Sequence, residues 1–365
     1  MEKANLVSLA LFSLTIQAFE MNLYYRSKGP FREKRDIMYA DLSVRERSGL
    51  VAHMSLGTPA QNFCVIVDTT LDVSVVISSM AEHADWNEKS KFNMALSTTY
   101  ERASRLFSVR NMNTLGGRDA LKLNGIPPTR VTFGVLNTLN LPLGLPVLGD
   151  GHLGLGHPEA RRKLNDSNLL HVLSENRLID YKRFTLLCVC ARHRNDLEPD
   201  AQVVFGSHHK IYPEDFHMVP ADVTHPGWKF EVSSLSTSRG GISSIEFYAK
   251  LDSTTWLNKA SVDRTRLINT ALGATVSGNV YVFDCNRMDQ LPALIMSLQG
   301  ADLRLIPEQY VQREETQGQT VCFSSIVADP RIRNEDMILG MAFMEHFLTM
   351  FDQQVKKVGF QERVC

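Results

Sequence analysis

From Gly49 onward the apolar positions fall in short runs, not in the three-and-four spacing of an amphipathic helix. "LVAHMSL", "FCVIVD", "VSVVIS", "RVTFGVL", "FTLLCVC", "AQVVFG", "WKFEVSSL", "LPALIMSL" and "KKVGF" are rich in Val, Ile, Leu and Phe, and Gly, Pro, Asn and Asp punctuate the gaps. Runs of this length bounded by turn-forming residues predict strands. Helices are expected at 157–178, "HPEARRKLNDSNLLHVLSENRL", and at 263–274, "DRTRLINTALGA". No regular alternation of strand and helix appears, which disfavours a doubly wound nucleotide-binding sheet. The expectation is an all-β chain with a few short helices.

The N-terminus breaks the strand rhythm. An apolar run from Leu6 to Ile16 follows Met1-Glu2-Lys3 and precedes a plausible cleavage point after Ala18. Its length suits the apolar core of a signal peptide and falls short of a membrane span; a buried N-terminal helix is the alternative. The reading places a signal peptide at 1–18 and the mature chain, without a membrane anchor, in the secreted or endolysosomal lumen. Residues 19–47 form a short leader that carries Arg26, Lys28, Arg32, Lys34, Arg35, Arg45 and Arg47. It reads either as a basic prosegment over an acidic cleft, with Lys34-Arg35 as a processing site, or as a solvated leader.

Composition adds little beyond class. The chain has 365 residues, 44% hydrophobic and 22% charged, enough for a large core and two lobes. With 39 Lys and Arg against 40 Asp and Glu, no overall field draws it to nucleic acid. The six cysteines become disulfide candidates in a secretory setting.

One pattern carries chemistry, and it occurs twice. Asp68 closes the apolar run "VIVDTT", and Asp252 closes "YAKLDSTT" in the other half of the chain. A single Asp followed by Thr or Ser is common in turns; a matched pair in two half-chains says more. The flanking residues decide the matter. "LGTPAQNFCVIVDT", "KFNMALSTTYE", "DGHLGLG", "VVFGSHHKIYPEDFHMVPADVTHPGWKFEVSSLS", "INTALGA", "VFDCNRMDQLPALIMSL" and "MILGMAFMEHFLTMFDQQVKKVGF" match, in order, segments of the pepsin family of bilobal aspartic peptidases. The resemblance covers nearly everything after about residue 47. It implies two β-barrel-like lobes, 48–215 and 216–365, flanking a central cleft, in a monomer with no cofactor and no metal.

The resemblance also implies roles. Asp68 and Asp252 take the positions of the family's catalytic pair, in which two carboxylates about 3 Å apart share one proton. One of the pair activates a water and the other protonates the leaving group. Thr69, Thr70, Ser253, Thr254 and Thr255 are the supporting motif residues. Cys285 and Cys322 match a second-lobe disulfide of the family, while Cys64, Cys188, Cys190 and Cys365 stay unassigned.

Several departures bear on activity. Thr70 and Thr254 stand where the family has glycine, and a β-branched residue there adds bulk and narrows the range of φ. Leu71 replaces a hydroxyl residue, whereas Thr255 keeps one. Aligned on the family's flap hairpin, "FSVRNMNTLGGRDAL" puts Asn111 at the flap tyrosine and shortens the hairpin by several residues. Val75 replaces a supporting tryptophan, and Met341 an acidic residue. Each lost hydrogen bond to a charged group is worth about 1.5–3 kcal/mol. With these departures, the resemblance implies a homologue of impaired activity whose interlobe cleft binds peptides or proteins. The alternative is an active aspartic endopeptidase that hydrolyses peptide bonds in acid through Asp68 and Asp252; a purely structural secreted protein comes third.

Other features read blandly. His208-His209 lacks convergent ligands and reads as a surface pair, not a metal site. Cys188 and Cys190 lack the four-residue redox spacing. Asn165-Asp166-Ser167 is a possible glycosylation sequon.

Overall fold

The computed structural model describes residues 18–25, 38–39, 42–43, 49–82, 86–109, 112–123, 125–137, 149–159, 166–188, 201–208, 210–242, 246–278, 280–316 and 319–363. Most of the expected signal peptide, together with Lys34-Arg35, Asn111, Asn165, Cys190, His209 and Cys365, lies outside them. The described chain is predominantly β. The nine predicted runs all contain strand, and most boundaries match within a few residues: Leu50–Leu56, Gln61–Asp68, Thr129–Leu136 and Ala201–Gly206 are examples. "WKFEVSSL" is divided between two strands, Trp228–Val232 and Ser234–Thr237, which pair with different partners.

The helix expected at 157–178 is cut back to Leu169–Glu175, opened by Asn168, whose side chain accepts from the His171 N–H. An Asn cap satisfies a first-turn donor that the helix cannot. Residues 157–159 are not helical. The second helix runs Val262–Ala271, capped by Ser261.

Two lobes share one antiparallel sheet, in the spatial order Ala18–Tyr25, Ala201–Gly206, Arg183–Cys188, Phe347–Asp352, Lys357–Glu362 and His217–Asp222. Its two halves come from different lobes, and the join is the pairing of Arg183–Leu186 with Thr349–Asp352. Aromatic side chains fill the layer beneath: Phe184 stacks on Phe351 at 4.5 Å, and Trp228 meets both edge-on. Trp228 is fully buried, and its indole N–H donates to Leu155 O at 2.7 Å, so one ring ties the second lobe to the first lobe's motif region.

The first eight residues described, Ala18–Tyr25, are the edge strand of this shared sheet, and Phe19, Met21 and Leu23 are buried in the main core. The start of the leader is thus built into the body of the molecule, and Phe19 stacks on Phe205 at 4.5 Å.

Each lobe then repeats one device. In the first, Gly151–Gly154 runs parallel to Gln61–Asp68, with Gly154 beside Asp68. In the second, Asp336–Leu339 runs parallel to Phe247–Leu251, with Leu339 beside Leu251. The Gly154 N–H donates to Ser74 Oγ at 3.1 Å, and its counterpart Gly340 donates to Asn258 Oδ1 at 3.0 Å. At Gly340 a Cβ would lie 2.6 Å from Trp256 O, so the chain needs glycine there to pass behind the motif loop.

Candidate active site

The strand into Asp68 is buried on both faces over Val65–Asp68 and is paired along both edges, with Leu50–Leu56 and Gly151–Gly154. The strand into Asp252 alternates: Phe247, Ala249 and Leu251 face in, while Tyr248 is exposed and Lys250 partly so. Both end on the same turn geometry, and the two turns meet.

The meeting is made by hydrogen bonds between Thr69 and Ser253. The Thr69 N–H donates to Ser253 Oγ at 3.0 Å, and the Ser253 N–H donates to Thr69 Oγ1 at 3.1 Å. Each hydroxyl then donates onward to the other lobe's strand, Thr69 Oγ1 to Leu251 O at 2.9 Å and Ser253 Oγ to Val67 O at 2.7 Å. Four bonds that cross the lobe boundary fix two strand ends against each other. Asp68 and Asp252 each adjoin this grip by one residue, so the two motif turns are brought together at the lobe boundary.

The threonines in the glycine positions behave differently from the expectation. The Thr70 N–H and hydroxyl both donate to Asp68 Oδ1, at 2.8 and 2.6 Å. The Thr254 N–H and hydroxyl donate to Asp252 Oδ1 in the same way, at 2.9 and 2.7 Å. Among the described residues only Arg177, Ile242 and Lys356 are non-glycine with positive φ, so neither threonine sits in a conformation that favours glycine. The side chain supplies an added donor to each carboxylate. Leu71, the lost hydroxyl of the first motif, is buried, and Thr70 provides a hydroxyl one residue earlier. The cost expected from the two substitutions is therefore absent from the carboxylates' hydrogen bonding. Thr255 donates its backbone N–H to Asp252 O at 3.5 Å, closing the turn.

The departure that matters most at Asp68 is one the sequence reading passed over. His152, in the Gly151–Gly154 strand, brings Nδ1 to 2.8 Å from Asp68 Oδ2, with Asp68 0% and His152 3% exposed. Toward an ionised carboxylate, which only accepts, the donor of this bond is Nδ1–H. Asp68 thus receives two donors on one oxygen and an imidazole on the other. Asp252 is partly exposed and has Thr254 on Oδ1. The signal was legible: "DGHLGLG" matches the family's Asp-Gly-Ile-Leu-Gly-Leu turn with His in the isoleucine position.

Lys250 lies across Gly227 from the first motif's loop. Gly227, at φ +96, lies where a Cβ would be 2.9 Å from Lys250 Cε and 3.4 Å from Thr70 Cα. The lysine stem therefore crosses a bare glycine beside the first motif's loop.

The rest of the predicted set falls as follows. Cys285 and Cys322 are disulfide-bonded, Cα atoms 5.4 Å apart. Cys64 is half-buried and Cys188 buried. Strands Glu101–Val109 and Met112–Leu123 form a hairpin that pairs as far as Val109 with Met112; Asn111, expected at the flap position, is outside the described residues. Val75 is fully buried beside Gly134, and Met341 is fully buried in the main core, neither providing a polar group. His208 pairs with Glu20 of the edge strand at 3.0 Å. No cluster of metal-ligating side chains occurs among the described residues.

Two lobes, each presenting an aspartate at the end of a strand braced by a parallel neighbour, define an aspartic-peptidase-type architecture. The chain belongs to the eukaryotic aspartyl protease family, whose model matches residues 50–363. It is similar to cathepsin D of Homo sapiens, 26% identical over 341 residues that span 85% of this chain and 79% of the relative. Pepsin A of Sus scrofa is 25% identical over 314 residues, 84% of this chain and 79% of the relative. A pregnancy-associated glycoprotein of Equus caballus is 25% identical over 352 residues, 92% and 84% of the two chains.

Proposed function

We propose that this protein is a secreted or endolysosomal member of the family whose interlobe cleft binds peptides or protein segments and cuts them poorly or not at all. The observation that carries the reading is the inequality of the two carboxylates. Asp68 is sealed from solvent and bonded to His152, whereas Asp252 is partly exposed. A proton-sharing pair needs two carboxylates with access to the same water and the same proton. Here one of them is engaged within its own lobe. The protein acts as a monomer, and its ligand is an extended peptide or a protein segment.

A second reading has an observation in its favour. Thr70 and Thr254 give each carboxylate an extra donor, and the Thr69–Ser253 grip is complete. That supports an acid endopeptidase using Asp68, Asp252 and a water. Cleavage of a denatured protein between about pH 3 and 6, with Asp68→Asn as the blank and a statine-type transition-state mimic as probe, separates the two. Binding of the mimic without turnover is the expected outcome. Robust turnover abolished by Asp68→Asn and blocked by the mimic would overturn the proposal.

A further inference from the structure

The two lobes provide an internal control for His152. The parallel register sets His152 beside Ile66 in the first lobe, and Ile338 beside Lys250 in the second. His152 and Ile338 each stand two residues before the glycine that backs a motif loop, Gly154 or Gly340, so they are structural counterparts. The second lobe keeps an apolar side chain at this point and the first does not. A buried imidazole is costly unless a partner satisfies it. The partner is the carboxylate of Asp68, at 2.8 Å, and the side chains that follow His152 in its strand and turn, Leu153 and Leu155, are buried and apolar.

We infer that His152 is a positioning residue that holds Asp68 inside its own lobe and so prevents Asp68 and Asp252 from acting as a proton-sharing pair. The inference rests on the reading of the site as one that binds more than it cuts, and it assigns that property to one side chain. The lock is one of occupancy: the Thr70 N–H and hydroxyl hold Asp68 Oδ1 and the imidazole Nδ1 lies 2.8 Å from Oδ2, so both oxygens of Asp68 are engaged inside the first lobe. The lock is local and involves no change of fold: His152 and the isoleucine of the family's turn occupy the same strand position.

The test uses the whole chain with His152→Ile and His152→Asn, each also in an Asp68→Asn background. Isoleucine removes the donor and matches the second lobe; asparagine keeps an N–H close to the position of Nδ1. Cleavage of a denatured protein between about pH 3 and 6 is read alongside the affinity for a statine-type mimic. His152→Ile should raise turnover at least about tenfold, and the Asp68→Asn background should abolish the gain. His152→Asn should regain less than a third of it. Overturning results are a folded, mimic-binding His152→Ile protein with no gain, or equal gains for Ile and Asn, which would make side-chain bulk the cause. Should His152→Ile fail to fold, histidine nitrogen NMR still decides: Asp68→Asn must shift the His152 Nδ1 resonance, and a resonance that does not move removes the lock. Wild-type turnover that is already robust refutes the binding reading alone; a further rise on His152→Ile would then still support the lock, and no rise would refute it.

Discussion

Thr69 and Ser253 exchange hydrogen bonds across the lobe boundary, each backbone N–H donating to the other's hydroxyl at 3.0 and 3.1 Å. Both residues are fully buried, so no water substitutes if a hydroxyl is removed. Thr69→Val deletes the acceptor of the Ser253 N–H and the donor to Leu251 O while keeping the shape. Two buried groups left unsatisfied should cost about 2–4 kcal/mol, read from the urea midpoint. A change below about 0.5 kcal/mol would show that the grip is not structural.

The motif threonines support a second prediction. Thr70→Val removes the hydroxyl at 2.6 Å from Asp68 Oδ1 but keeps the backbone donor at 2.8 Å. One hydrogen bond to a charged group should cost about 1.5–3 kcal/mol at neutral pH. Thr254→Val should cost less, because Asp252 is partly exposed and water can replace the hydroxyl. Equal losses in parallel denaturant titrations would contradict the inequality of the two sites.

A third concerns pH. His157 is buried, donates Nδ1–H to Pro158 O at 2.7 Å, and meets the Trp228 ring edge-on at 5.0 Å. Its pKa is lowered by burial first, against the raising effect of the Pro158 bond, and further by the charge of Lys356. A histidine depressed in the fold takes up its proton more readily when unfolded. It therefore destabilises the native state as pH falls below the unfolded value of about 6.5, and is silent above it. His157→Gln keeps a side-chain donor and cannot titrate. Thermal melts from pH 7.5 to 5 should fall less steeply for this variant than for wild type; equal slopes would assign the acid loss elsewhere.

The disulfide gives a fourth. Cys285 and Cys322 close a loop with a sequence separation of 37. Double replacement by serine should cost about 3–4 kcal/mol in the chain-entropy model. Non-reducing peptide mapping that finds either cysteine as a free thiol would refute the pairing at once.

The edge strand gives a fifth. Leu23 is fully buried in a segment the sequence assigned to a leader. Leu23→Ala should cost about 2–5 kcal/mol if the strand stays in the sheet. No loss in an equilibrium unfolding titration would mean that Ala18–Tyr25 is dispensable to the fold.

The sequence by itself determined the strand content, which is written locally in short apolar runs and turn residues that need no knowledge of what lies across the core. The two aspartates, the motif residues and the Cys285–Cys322 pairing came from the ordered segments that resemble the pepsin family. Helix Leu169–Glu175 was legible as a helix but not in extent, since its start is set by the Asn168 cap and not by the apolar pattern. The tertiary structure decided what could not be local. It built Ala18–Tyr25 into the shared sheet by pairing it with Ala201–Gly206. At Thr70 and Thr254 it turned an expected clash into a donor, because backbone φ there is one that threonine can adopt. It set His152 against Asp68, 84 positions apart, because the parallel strand pair places His152 beside Ile66, two residues before Asp68 in the same strand. Whether a buried histidine meets a carboxylate depends on which strands lie side by side and in what register, and that is a property of the assembled sheet.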